Sequence, residues 1–66
     1  MHGNKLRAQF ALQGKSVPTV AEGINLSKKA LYRKLNGDSQ FTLAEIKRLV
    51  EYLGLDEATT YQIFLR

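Results

Sequence analysis

Residues 16–37 read SVPTVAEGINLSKKALYRKLNG. The stretch splits into two short amphipathic segments around Asn25 and Leu26. Ser16 and Ser27 each stand where a side-chain oxygen can accept from a free first-turn N–H, so each is expected to cap a helix. Pro18 is tolerable in the first turn of the earlier helix, because N–H groups there have no intrahelical acceptor. Val20, Ala21 and Ile24 supply its buried face over a span of roughly Val17 to Ile24. Gly23 costs that helix about 1 kcal/mol against alanine, which implies that tertiary packing holds it in place. Asn25 tolerates the left-handed backbone that a tight turn requires. Leu26 then plugs the core, and the second helix runs from Lys28 to Leu35 before Asn36 and Gly37 end it. The layout predicted is helix, tight turn, helix.

The flanking segments are helical as well. A first helix is expected from Asn4, as N-cap, to Gln13, with Leu6, Phe10, Ala11 and Leu12 as its apolar stripe and Gly14 as its stop. Thr42 and Glu45 have capping-box spacing, and Phe41 with Ile46 can form the hydrophobic staple around it. Ile46, Leu49, Val50 and Leu53 then form a buried stripe that Gly54 terminates. Asp56 is expected to cap a fifth helix on which Tyr61, Phe64 and Leu65 share a face that either closes the core, leaving Ile63 exposed, or joins Ile63 in a contact with a partner. Nothing alternates in the manner of a strand. The fold expected is a compact all-α five-helix bundle forming a single domain over residues 1–66.

Composition narrows the function classes. The chain has no cysteine, which excludes disulfides and thiolate metal sites and suits a reducing cytoplasm. His2 is the only histidine, so neither a metal site nor a histidine-based catalytic pair is expected. The carboxylates show no catalytic pairing, Ser16 and Ser27 serve as caps and Ser39 as a loop residue, and no glycine-rich phosphate loop occurs. No apolar run approaches the roughly 18 residues of a membrane span, and the N-terminus lacks a secretion signal. The expectation is a protein without enzymatic activity, cofactor, small-molecule ligand or membrane.

Charge is polarised along the chain. Residues 1–37 hold seven Lys/Arg against one acid, a net of +6, whereas residues 38–66 have a net of −2. The second helix of the pair concentrates the effect, with Lys28, Lys29, Arg33 and Lys34 and no acid. At about 100° per residue, Lys28, Tyr32, Asn36, Lys29 and Arg33 fall within an arc of about 140°. Leu31 and Leu35 lie opposite, with Ala30 beside them. Lysine and arginine can donate to guanine O6 and N7, and Tyr32 can meet a thymine methyl or a phosphate. This face is suited to double-stranded DNA; the plainer alternative is a solvated amphipathic face. Lys34 falls toward the packing side, so its stem is expected along apolar surface with its head in solvent or on a phosphate.

On Ser16, Val20, Ala21, Asn25, Leu26, Ser27, Leu31, Asn36 and Gly37, the chain resembles the lambdoid repressor and Cro helix-turn-helix family. Phe41, Thr42, Leu43 and Ile46 to Leu55 extend the resemblance over nearly the whole length. The resemblance implies base contacts by Lys28, Lys29, Tyr32 and Arg33. It implies phosphate contacts by Ser16, Asn36, Ser39 and Gln40. Family members often carry glutamine where this chain has Val17, which leaves only the Val17 backbone N–H for a phosphate. Asn25 replaces the usual glycine.

Two functional expectations follow. The first is a Cro-like repressor in a phage or mobile-element switch, binding an operator as a homodimer in the bacterial cytoplasm. The second is a small modulator that binds a larger phage repressor through Tyr61, Ile63, Phe64 and Leu65. With no room for a separate dimerisation domain, any dimer is expected to use the folded unit itself. An RNA-binding helical domain is disfavoured by the few aromatics on the basic face.

Overall fold

The computed structural model describes residues 1–65, and its elements follow from local chemistry at their ends. Helix α2 spans Val17–Gly23, with the Ser16 hydroxyl accepting from the Thr19 N–H and Pro18 in the first turn. Asn25 has φ 61°, the left-handed conformation expected of it. That reversal lets the Leu26 N–H bond back to the Ala21 carbonyl at 2.8 Å. Helix α3, Lys28–Leu35, starts at once, with Ser27 accepting from the Ala30 N–H. It ends through Gly37 at φ 85°, and the Asp38 N–H returns to the Arg33 carbonyl at 2.9 Å. A helix–turn–helix whose second helix is pinned at both ends is thus written in four residues: Ser16, Asn25, Ser27 and Gly37.

Helix α4 covers Leu43–Leu53 and carries the capping box in full. The Thr42 N–H donates to the Glu45 carboxylate at 2.8 Å, and the Glu45 N–H to the Thr42 hydroxyl at 3.1 Å. Phe41 and Ile46 are both half-buried, and together with Phe64 they line one groove.

Helix α1, Gly3–Leu12, departs from expectation at both ends. Its N-cap is His2, without a side-chain cap, and Asn4 lies inside the helix. Leu6 and Phe10 are buried as expected, but Ala11 is exposed and Leu12 is 78% exposed. The reason is angular: six residues beyond Leu6 is about 240° around a helix, well off the stripe. Gly3 stands so close to the Leu35 carbonyl that a side-chain carbon there would collide with backbone. Gly3→Ala is therefore expected to destabilise the fold by about 1–3 kcal/mol through forced separation of α1 from α3, read as a lower thermal midpoint. An unchanged midpoint would show that this contact is loose.

The core is one cluster of Leu6, Phe10, Val20, Ala21, Ile24, Leu31, Leu35, Leu49, Leu53 and Ile63. The Cα radius of gyration is 10.5 Å, against about 10.8 Å for a compact chain of this length. Among the described residues all regular structure is helical.

The C-terminal segment corrects the expected face. Helix α5 is short, Glu57–Thr60, capped by Asp56, and runs directly into a π-helical turn over Tyr61–Leu65. Ile63, expected outside, is 2% exposed and part of the core. Tyr61 and Leu65, expected inside, are 55% and 72% exposed. Phe64 is half-buried and meets Phe41 edge-on, with ring centroids 5.9 Å apart. Two apolar stripes overlap in this short segment and share Phe64. The stripe that wins carries Ile63 against α1, where Thr59 and Ile63 face Ala8 and Gln9. A branched aliphatic side chain buries no polar atom there, whereas the Tyr61 hydroxyl keeps its access to water. The His2 N–H donates to the Ile63 carbonyl at 2.8 Å and fastens this segment to the start of α1.

Candidate nucleic-acid interface

Helix α3 presents Lys28, Lys29, Tyr32, Arg33 and Asn36 to solvent and turns Leu31 and Leu35 inward. The expected face is therefore intact as a surface: three cations, one aromatic and one amide on a single arc. Its rigidity comes from behind. Leu31 is fully buried, and Ser27 and Gly37 fix where the helix begins and ends.

On one flank, Ser27, Lys29, Ala30, Arg33, Lys34 and Ser39 line a shallow groove between α3 and the loop that follows it. Two hydroxyls and three cationic residues surround one concavity, and with the Lys34 ammonium engaged elsewhere, Lys29 and Arg33 are the cations suited to an anionic oxygen such as a phosphate. Ser39, one of the residues assigned to phosphate by resemblance, is thus brought next to Arg33. Gln40 is exposed beyond it. Ser16 is exposed at the start of α2, where its hydroxyl also meets the Thr19 hydroxyl at 2.9 Å. Val17 is partly buried and packs against the core.

Lys34 is a correction. Its stem follows apolar surface as expected, but its head is taken up by protein partners and keeps only slight water contact. The Nζ donates to the Gln40 carbonyl at 2.9 Å and pairs with the Glu45 carboxylate at 3.0 Å. It also lies 5.8 Å from the centre of the Phe41 ring. With its donors turned inward, Lys34 ties the loop after α3 to the start of α4 and leaves the outer face. Burial raises the Glu45 pKa, but the Thr42 N–H and the Lys34 ammonium outweigh it, so the carboxyl sits below its ordinary value of 4.5. The compensating acid lies eleven positions along the chain, in a helix that reads as a separate unit.

Arg7 is the residue that sequence reasoning passed over. From α1 its guanidinium donates to the Asn36 side-chain oxygen at 3.1 Å and stands 6.0 Å from the Tyr32 ring centroid. The only signal in the sequence is its place beside Leu6 on the α1 face that meets α3.

Of the four residues expected at a partner interface, only Tyr61 and Leu65 are outward. They line an apolar groove with Val50, Leu55 and Ala58, and Glu57 stands among them. Ile63 belongs to the core and Phe64 leans on Phe41. Among the described residues no group of histidines or carboxylates could hold a metal ion, and no helix is long and apolar enough to cross a membrane.

Comparison with known proteins adds one positive result. No curated protein and no solved structure matches the chain. The BetR domain matches residues 4–63, from α1 through the buried Ile63. That span includes the helix–turn–helix and all five helices, and the chain belongs to the BetR domain family, as a small phage-associated helix-turn-helix-like domain.

Proposed function

We propose that this protein is a sequence-specific DNA-binding regulator of transcription, a Cro-like repressor in a phage or mobile-element switch. The observation that carries the reading is the outward arc of α3. Lys28, Lys29, Tyr32, Arg33 and Asn36 are all exposed there on a helix fixed at both ends. Such a helix fits a major groove, and its cations can donate to guanine edges. In this reading two copies bind a roughly palindromic operator with their α3 helices about 34 Å apart. The longest dimension of one copy is 27 Å, so two fit side by side at that spacing. The function requires no cofactor, metal or catalytic group and is exercised in the bacterial cytoplasm.

A titration across a salt series tests it, using duplex from beside the protein's own gene against random duplex. Tight, selective binding that weakens steeply with salt is the expected result. Equal affinity for both duplexes would refute the reading. Within it, Arg33→Ala should cost about 1–3 kcal/mol on the selected site and relax base choice at one position. A uniform loss on every sequence would move Arg33 to the phosphate backbone.

A second reading draws support from the exposed Tyr61 and Leu65 around their apolar groove. Here the protein modulates a larger phage repressor by binding it. Because both side chains are outward, Tyr61→Ser with Leu65→Ser should abolish such a complex while the fold stays intact. Retention of the complex would dismiss this alternative.

A further inference from the structure

The contact between α1 and the end of α3 has a chemical direction. A primary amide side chain offers an accepting oxygen on one side and two N–H donors on the other. Asn36 commits its oxygen to the Arg7 guanidinium at 3.1 Å. The reverse orientation would press two N–H groups against a cation that can only donate. Asn36 is exposed, so with its oxygen turned to Arg7 its two N–H donors face outward, and the second lone pair of the oxygen stays open. The same guanidinium lies 6.0 Å from the centre of the Tyr32 ring, the neighbouring side chain on the exposed arc. A planar guanidinium can stack and donate at once; an ammonium cannot do both in this geometry.

We infer that Arg7 is a positioning residue for sequence selectivity, holding Asn36 with its donors outward and Tyr32 in place. The inference rests on the DNA-binding reading of α3 and adds to it a fixed orientation for the amide at position 36. With its N–H groups outward, Asn36 suits an acceptor: guanine O6 or N7, adenine N7, thymine O4 or a phosphate oxygen. By holding that amide and the Tyr32 ring in one orientation, Arg7 restricts what the two side chains present to a duplex without itself lying on the outward arc of α3.

Arg7→Lys tests this, because it keeps the charge and removes the planar fork. Binding to selected and to random duplex is measured at several salt concentrations, alongside selection from a randomised duplex pool. Amide and ring NMR signals of Asn36 and Tyr32 are compared in the free proteins. Random-duplex affinity and salt dependence should hold within about twofold, while preference for the selected duplex falls about five- to tenfold. Base preference should relax at one position of the selected pool, and the Asn36 amide signals should shift. In an Asn36→Ala background the effect of Arg7→Lys on that position should vanish. Unchanged selectivity, or an equal loss on both duplexes, would overturn the inference while leaving DNA binding by α3 standing. A wild-type protein without selectivity would overturn the DNA reading and this inference together.

Discussion

Leu31→Ala is expected to be the most damaging single truncation, lowering stability by about 2–5 kcal/mol. Leu31 is fully buried on the inner arc of α3, in the cluster that holds Leu6, Val20, Ile24 and Leu49. Alanine would leave a cavity that rigid neighbours fill only in part, adding a cavity cost to the lost transfer energy. A domain of this size has only a few kcal/mol to spare. The variant should therefore be largely unfolded at room temperature by circular dichroism, with loss of all DNA binding. Retention of a cooperative melt within a few degrees of wild type would mean that the core closes over the gap.

Lys34→Met should lower stability by about 2–4 kcal/mol, a value reduced from that of a fully buried pair because both side chains keep slight water contact. The substitution retains the stem but removes the ammonium that serves both the Gln40 carbonyl and the Glu45 carboxylate. Glu45 is then left nearly buried without a counter-charge. Glu45→Gln alone should cost less, since the amide can still accept from the Thr42 N–H. The double variant should recover much of the Lys34→Met loss. Additive losses would show that the ion pair contributes little. If instead Lys34→Met left stability untouched and weakened all duplexes alike, the lysine would belong on the DNA phosphates.

The same pair makes stability depend on acid. The Glu45 carboxyl titrates below 4.5 in the folded protein and at its ordinary value when unfolded. The unfolded chain thus binds the proton more readily, so this contribution is complete above that ordinary value. It is lost as pH falls through the lower, folded value. Thermal midpoints of the wild type should drop in that window, and Glu45→Gln should flatten the drop. Equal slopes for the two proteins would place the acid sensitivity elsewhere.

What could be read in the sequence was whatever is settled within about six residues. Ser16, Ser27, Thr42 with Glu45, and Asp56 each cap the helix they announce. Asn25 takes the left-handed turn. The outward arc of α3 followed from spacing alone, because a short helix packed on one side leaves the other side wet. What could not be read depends on distant partners. Lys34 looks like a free cation until Glu45 is folded against it. Arg7 looks like any surface arginine until α1 is laid across the end of α3. At the C-terminal end, the choice between Ile63 and Tyr61 with Leu65 depends on α1, some fifty residues away, and on a turn wider than the α-helical period. Gly23 shows the middle case. Its low helix propensity hinted at packing, and the Tyr52 ring does lie against it, so closely that a methyl group would force the ring aside.

The bond from the His2 N–H to the Ile63 carbonyl brings the beginning and the end of the described chain side by side. Topologically the molecule is nearly a closed ring, cut at one place. A circular permutant that opens just after the exposed Gly14 and joins the beginning and end of the described chain by a short linker would carry α1 behind α5. In that order of synthesis the α2–α3 unit would emerge first, and α1 would arrive last to close over it.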